Sequence, residues 1–439
     1  MAGCGGENKQ STDFSKTDVK TSYSEIDPMM QDSMDIEGIT VETNDTLFNQ
    51  GFVLDISQTS ADDLIAVDVR KSYSSKKELI LQDFMDVEYI TLETNDNFLN
   101  QGMVQDIGKE IILVTNRIND GDIFVYDIQG KALRKINHKG QGPGEYTEIF
   151  KITLDESNGE MFVFELNIGK IFVYDLYGNF KRSFNPKNKL LGYAEIFNYD
   201  NDNLICYDKY SQEIAFVLMS KLDGRITKEI NIPFKERKSL LQKQPISATD
   251  IDVSKIQIPP GYRLGGRAAA PISSIRSITP YAGHWILLEI SSDTVYTFLP
   301  DYSLHPLIVR TPSVQSMDPE VMLFIRLISD RYYFMETIKN DYNFNTNSGF
   351  PATYLIYDKQ EKAFSGYTVY NGDYSTKNEI YMIGFTPVSH ESASWYLLQA
   401  YQLVDEYKKG QLKEGKLKEI AAKLDPEDNP VIMLVKHKK

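Results

Sequence analysis

Cysteine is almost missing from this chain of 439 residues, where only Cys4 and Cys206 occur. They lie far apart and neither belongs to a CxxC or Cys/His cluster, which argues against structural zinc. The five histidines, His138, His284, His305, His390 and His437, are scattered without HxH or HExxH spacing, so no catalytic metal is expected. A Gly-x-Ser-x-Gly elbow is lacking, and no cysteine is placed to act as a nucleophile. No stretch approaches the roughly 18 to 20 apolar residues of a membrane-spanning helix. Basic excess is lacking too: 62 Asp and Glu against 47 Lys and Arg leave a formal charge of −15, which disfavours nucleic acid as a partner. Acidic pairs such as Asp62-Asp63 and Asp120/Asp122 are, in so acidic a chain, read as solvated turns.

What the chain does have is apolar and aromatic material, 41% and 12% of its residues, enough for a large core. That material repeats. Residues 121–136 read Gly-Asp-Ile-Phe-Val-Tyr-Asp-Ile-Gln-Gly-Lys-Ala-Leu-Arg-Lys-Ile, and 169–184 read Gly-Lys-Ile-Phe-Val-Tyr-Asp-Leu-Tyr-Gly-Asn-Phe-Lys-Arg-Ser-Phe. Each is a strand, a tight turn and a second strand, because Phe, Val and Tyr suit a pleated surface and the Asp and Gly supply the turn. Weaker versions follow at 216–230, 294–309 and 354–369, and two further extended runs precede each hairpin. The turn glycines Gly130, Gly178 and Gly224 are 48 and 46 residues apart.

Four short antiparallel strands at that spacing are the signature of a β-propeller blade, since stacked sheets bury faces that one sheet cannot. Five units run from about 102 to 369. A sixth must close the ring, or the end sheets would expose edges. The alternating segment Met85–Leu92 is expected to pair with Ile380–Thr386 and Val431–Val435. Between these last two the period shifts to 3.6, with Trp395, Leu398, Tyr401 and Val404 on one face and Leu417, Ile420, Ala421 and Leu424 on another. The expected fold is therefore all-β, a six-bladed β-propeller with a helical pair inserted at about 392–424 in the last blade.

At Gly140-Gln141-Gly142-Pro143-Gly144-Glu145-Tyr146 the sequence resembles the Gly-x-Gly-Pro-Gly-Glu-Tyr/Phe element of six-bladed β-propeller lipoproteins of Gram-negative gut bacteria, distant relatives of NHL-repeat propellers. The likeness extends over Met85–Asp106, the hairpins, Ile308–Ser313 and Asn429–Lys436, covering about residues 60–439. The element itself reads as structure: glycines turn the chain between blades and Glu145 accepts backbone N–H groups. No Lys-Ser/Thr follows, so a phosphate cradle is a poor alternative.

Cys4, in Met1-Ala2-Gly3-Cys4-Gly5-Gly6, resembles the end of a bacterial lipoprotein signal without the basic and apolar parts that would stand upstream. Acylated there, the protein would sit on the cell envelope, at the outer membrane on its periplasmic or surface face, touching the membrane only through that lipid. Residues 1–81 are assigned to this start, a tether and a partial duplication, and 82–439 to the propeller. The duplication is clear: 31–56 match 82–107 at 17 of 26 positions. The first copy could compete for the closing position, lie loosely on the surface or pair with another molecule, and loose packing or disorder is favoured. Cys206 is expected to be a small buried strand residue.

Ligands are expected on the face carrying the links between blades and those between each blade's second and third strands. The link from Pro233 to Ser274 is the longest, 42 residues, and loops that long tend to be functional or disordered. Its Arg263 and Arg267, with Arg117, His138, Tyr342 and Phe344, form the candidate ligand-binding set, against the plainer reading of a surface loop with solvated arginines. The expected role is a monomeric binding module for a peptide, glycan or envelope protein, with no cofactor, metal or catalytic residue. The rival readings are an NHL-like lyase or hydrolase with a metal at the channel mouth, and a structural subunit of an outer-membrane complex.

Overall fold

A computed structural model describes residues 64–116, 120–165, 169–186, 193–244, 267–270, 276–389 and 391–438. Cys4, the first copy at 31–56, Arg117 and Arg263 lie outside these residues. The chain enters through β1 (Ile65–Asp68), β2 (Lys76–Ile80), a single helical turn α1 (Leu81–Phe84) and β3 (Met85–Thr91). Four-stranded antiparallel blades follow in sequence order. Blade 1 is β4 (Met103–Ile107), β5 (Ile111–Thr115), β6 (Asp122–Asp127) and β7 (Ala132–Asn137). Blade 2 is β8 (Lys151–Asp155), β9 (Glu160–Glu165), β10 (Lys170–Asp175) and β11 (Phe180–Phe184), and blade 3 is β12 (Tyr193–Asn198), β13 (Asn203–Asp208), β14 (Phe216–Ser220) and β15 (Ile226–Ile230).

A short ribbon, β16 (Gln242–Gln244) with β17 (Arg267–Ala269), belongs to the long link before blade 4. Blade 4 holds β18 (Ile278–Tyr281), β19 (His284–Leu287), β20 (Thr294–Phe298) and β21 (Leu304–Thr311). Blade 5 opens with β22 (Val321–Ile328) and β23 (Tyr332–Lys339), carries a small ribbon of β24 (Tyr342–Asn343) and β25 (Ser348–Gly349), and ends with β26 (Ala352–Asp358) and β27 (Ala363–Tyr370). Blade 6 is β28 (Thr386–Pro387), β29 (Ala393–Leu398), then helices α2 (Ala400–Lys408) and α3 (Lys416–Ala421), and β30 (Val431–His437), with β3 as its outer strand.

Closure follows the expected pairing, antiparallel, with Val87 opposite Val435 and Ile90 opposite Ile432. Six buried apolar clusters sit one between each pair of neighbouring blades. The cluster that joins last to first contains Ile432 and Leu434 against Ile112, Val114 and Phe124, so the sheets form a ring and not a linear stack. Each buried aliphatic side chain contributes about 1.5–3 kcal/mol, and Val431 to Val435 are all buried. Closure is therefore worth a large share of a domain's net stability, about 5–15 kcal/mol.

The hairpin turns show why the Asp and Gly recur. The Asp127 carboxylate accepts N–H bonds from Gln129 and Lys131 at 3.0 and 2.8 Å, and Gly130 takes φ +86°. Asp175 and Gly178 do the same one blade on. The Gly-Pro-Gly element also behaves as structure: Glu145 Oε2 accepts the Gly142 N–H at 2.8 Å, and the Tyr174 hydroxyl donates to Gly144 O at 2.7 Å, tying blade 2 to the link. Cys206 is buried in β13.

Two expectations need correction. The propeller does not begin at 82: β1 lies parallel to β21 as a fifth strand of blade 4, and β2 lies parallel to β27 as a fifth strand of blade 5. Residues 65–91 are thus a strap running along three blades, anchored by Ile65, Val67 and Val69 in the cluster between blades 4 and 5. The helical insertion does not begin at 392 either. Trp395 and Leu398 belong to β29, opposite Leu434 and Val431, because an apolar aromatic run fits both periods and pairing with β30 decides between them. The helices themselves pack with Leu403, Leu417 and Ile420 against Tyr374 and Val431. The start of the last blade, Ile380–Thr386, holds a 3-10 turn at Met382–Gly384, and its strand begins only at Thr386.

Candidate functional site

The sequence candidates fall in separate settings. His138 Nε2 lies 2.7 Å from Gly178 O, and its ring stacks on Tyr174 at 4.9 Å, so it serves the wall between blades 1 and 2. Tyr342 and Phe344 are brought together, centroids 4.9 Å apart, on the β24–β25 ribbon, where Phe350 also approaches and the Tyr342 hydroxyl donates to Asn347 Oδ1 at 2.7 Å. Arg267 opens β17, its backbone in register with Gln244.

A different feature lies on the opposite face, where each blade's first and second strands join. There the turns of blades 1, 2, 3, 4 and 6 converge on a cavity of about 500 Å³. Blade 1 supplies Lys109 and Glu110, blade 2 Glu156 and Ser157, blade 3 Asn198 and Tyr199, blade 4 Tyr281, His284 and Trp285, and blade 6 Ser389, Glu391 and Ser392. The aromatic rings come from blades 3 and 4, and blades 1, 2 and 6 supply the charged side chains.

The turns are fixed by side chains reaching between blades. Glu156 accepts the N–H groups of Lys109, Glu110 and Ile111 at 2.6, 3.0 and 3.0 Å, holding blade 1 to blade 2. Gly108 permits that approach, since a Cβ there would sit 2.0 Å from Glu156 Oε1. The tip of blade 4 turns through Ala282 and Gly283 at φ +47° and +79°, and the Ala282 N–H donates to Ser392 Oγ of blade 6 at 2.7 Å. Tyr281 accepts a bond from Lys359 Nζ at 3.1 Å, and burial pushes its hydroxyl up to about 12. Burial lowers the His284 imidazole below its usual value, so it faces the cavity neutral at pH 7.

Inward of this mouth the first strands carry charges into the ring. Asp106 of blade 1 accepts from Leu154 N and Ser389 Oγ at 2.9 and 3.0 Å, linking blades 1, 2 and 6. Lys151 of blade 2 donates to Gln105 O and lies in the fields of Asp106 and Glu195. Glu195 of blade 3 accepts Ser277 N and Ile278 N of blade 4 at 2.7 and 3.0 Å. Burial pushes this carboxyl up to about 7, against those bonds and the charges of Arg276 and Lys151. Arg276 donates to Arg326 O, and to Ile383 O at 2.6 Å, while Arg326 Nε donates to Glu336 Oε2 at 2.6 Å. Lys151 and Glu195 keep water-accessible surface despite lying so deep, as lining of an internal channel does.

Toward blades 4, 5 and 6 the mouth narrows. A void of about 20 Å³, lined by Arg276, Arg326, Ser394 and His437 among others, shares Pro280, Tyr281 and Ser392 with the larger cavity. The arrangement is a funnel with an alternating-charge floor. Among the described residues no cluster of three or more His, Cys, Asp or Glu side chains is placed to hold a metal ion.

Sequence reasoning did not find these residues, although a signal exists. Four of the six inner strands hold a charge in or beside an apolar run, as in Glu195-Ile196-Phe197 or Phe324-Ile325-Arg326-Leu327-Ile328. A charge where burial is expected marks the channel.

Comparison with known proteins places the fold in context. A protein described as exported, from Bacteroides fragilis, superposes with a TM-score of 0.54 at 16% identity, covering 86% of this chain and all of its own. A member of the DUF4221 family from Bacteroides vulgatus aligns at 10% identity over 82% of this chain and 99% of its own, with a TM-score of 0.43. A virginiamycin B lyase from Staphylococcus aureus, in a structure with quinupristin, gives 0.35 at 10% identity over 80% and 99%. No curated protein matches in sequence. The first of these supports the propeller fold alone. The family model for a domain of unknown function, DUF4934, matches residues 64–436, and the chain belongs to that family.

Proposed function

We propose that this protein is an envelope-anchored binding module that takes a peptide, glycan or protein partner in the funnel mouth, without covalent chemistry. The observation that carries the reading is the cavity of about 500 Å³ built from the turns of five blades, which combines aromatic rings with polar and charged side chains. Sites of this kind are concave, partly apolar and furnished with a few fixed polar groups. Here Tyr199, Tyr281 and Trp285 offer apolar surface, and Lys109, Glu110 and Glu391 offer charge. The envelope address rests on the Cys4 tract, and the description of the Bacteroides fragilis relative as exported is in keeping with it.

The test is binding to peptide and oligosaccharide arrays, with hits titrated against variants of both faces. Glu110→Lys and Glu110→Trp alter an exposed turn residue without touching the core. They are expected to weaken the ligand tenfold or more, while Arg263→Glu with Arg267→Glu leaves it nearly unchanged. The reverse order of effects would count against the funnel mouth as the site.

A further inference from the structure

Tyr302 stands where the earlier blades place glycine. In blades 1, 2 and 3 the turn between the third and fourth strands closes through an N–H that donates back to its start. Gly130 reaches Asp127 O, Gly178 reaches Asp175 O and Gly224 reaches Ser220 O, at 2.9, 3.0 and 3.0 Å. All three take left-handed φ, +86°, +95° and +74°. Blade 4 makes the same bond from Tyr302 N to Leu299 O at 2.9 Å, with φ +69°. A residue with a Cβ is strained in that region, and a bulky one is an outlier there. Blade 5 departs from glycine too, with the exposed Lys362 at +49°, but in blade 4 the departure sets an aromatic ring at the tip. Strain that the turn itself does not need points to a use outside the turn.

The ring continues the aromatic side of the funnel mouth. Trp285 and Tyr199 line the cavity with centroids 6.0 Å apart, and Tyr199 in turn stacks on Tyr302 at 6.3 Å and 23°. Exposure rises outward along this series, from 8% at Trp285 through the half-buried Tyr199 to 43% at Tyr302. Groups of both signs flank the outer end: the Lys228 ammonium lies 4.7 Å from the centre of the Tyr302 ring, and Asp301 belongs to the same turn. At the inner end Asn198 Oδ1 and the Tyr199 hydroxyl are covered and meet no hydrogen-bond partner among the described residues, which is costly. A pyranose offers a face of C–H groups to an aromatic ring and a rim of hydroxyls that both donate and accept. A ligand of single charge would be repelled by one of the two flanking signs.

We propose that Tyr302 is a sugar-stacking residue on the rim of the mouth, where blades 3 and 4 seat one pyranose of a neutral glycan whose chain continues toward Tyr199 and Trp285. This names the ligand class for the binding role proposed above, and it rests on that role only for the part of the chain inside the cavity.

The experiment is calorimetric titration of the whole protein with cellohexaose, mannohexaose, xylohexaose and chitohexaose, beside hexagalacturonate and an uncharged Tyr-containing peptide, with thermal melts of each variant. At least one neutral hexasaccharide is expected to bind the wild type at millimolar concentration or below. Tyr302→Asn and Tyr302→Gly suit left-handed backbone. They are expected to weaken that sugar tenfold or more while melting within a few degrees of the wild type, and Tyr302→Phe is expected to keep affinity within about twofold. A ring with a purely structural role would lower the melting temperature instead. Wild-type crystals soaked with the sugar decide the matter even if the variants fold poorly, since a pyranose against the Tyr302 ring is expected. A sugar seated elsewhere, equal affinity in Tyr302→Asn, binding of the uronate or the peptide alone, or no saturable titration by any neutral hexasaccharide overturns the proposal. The mouth is judged separately: a sugar weakened by Tyr302→Asn but not by Glu110→Trp keeps the rim subsite and removes the mouth reading, and the opposite pattern does the reverse.

Discussion

Blades 1 to 3 and blades 4 to 6 are built from the same four-strand unit but are finished differently. In the first half the outer strands β7, β11 and β15 end their sheets. In the second half the N-terminal strap adds β1 and β2 as parallel fifth strands and supplies β3 as the outer strand of the last blade. The plain half is held by side chains that reach from one blade to the next. Arg134 donates to Leu176 O, and Arg182 donates to Lys221 O while gripping Glu160. Buried apolar clusters join neighbouring blades in both halves, and the covered half adds to them the main-chain pairing of the strap. The lesson is that a ring needs only one sealed joint, and here the chain's start continues the seal over the two blades before it.

The largest effect is expected at the joint itself. Ile432→Asp places a charge in a fully buried position of the cluster joining blades 6 and 1. It should cost more than about 4 kcal/mol and abolish a single cooperative melt, read by calorimetry. If the ring tolerates it with a normal melting temperature, closure is not the sealed joint described.

Trimming the strap comes next. Val67 is fully buried between blades 4 and 5, so Val67→Ala should cost about 1–3 kcal/mol. Hydrogen exchange should then speed up at β21 and β27 while β7, β11 and β15 hold their protection. Equal loosening in both halves would break the distinction between them.

A smaller contrast is set by pH. Burial alone would raise the Asp358 carboxyl, but hydrogen bonds from Arg331 and from Lys77 of the strap more than offset it, holding it well below the usual carboxylate range. Its contribution is therefore present above the unfolded carboxylate value and lost as pH falls through the depressed folded one. Glu195 works the other way: raised by burial to about 7, it contributes below its unfolded value and loses that contribution as pH rises toward 7. Acid should thus loosen β2 first, by hydrogen exchange, and Glu195→Gln should flatten the stability profile between about pH 4.5 and 7. A Glu195→Gln profile parallel to that of the wild type would count against the buried carboxyl.

The same comparison explains what the sequence made visible. Blades 1 and 2 repeat as Phe-Val-Tyr-Asp hairpins of regular length, so the unit and its period can be read directly. Ile90 and Ile432 could be matched because β3 alternates with period two and needs a partner. β1 and β2 escaped notice because they are short, and β2 is exposed at alternate positions and pairs parallel with residues nearly three hundred positions away. Trp395 misled because its run satisfies two periods, and only pairing with Leu434 settles it. The funnel was invisible because Lys109, Glu156, His284 and Ser392 come from turns of different blades, each ordinary in its own stretch, and meet only when the ring closes.

The closing joint can be tested directly with a covalent bridge. Asp86 and Lys436 are register partners at the accessible end of the β3–β30 pair. In a Cys4→Ser background, Asp86→Cys with Lys436→Cys should form a disulfide in the native protein under mild oxidation and raise the melting temperature, because the bridge closes nearly the whole ring. Failure to oxidise without denaturant, with both thiols freely labelled, would contradict a ring sealed by its two ends.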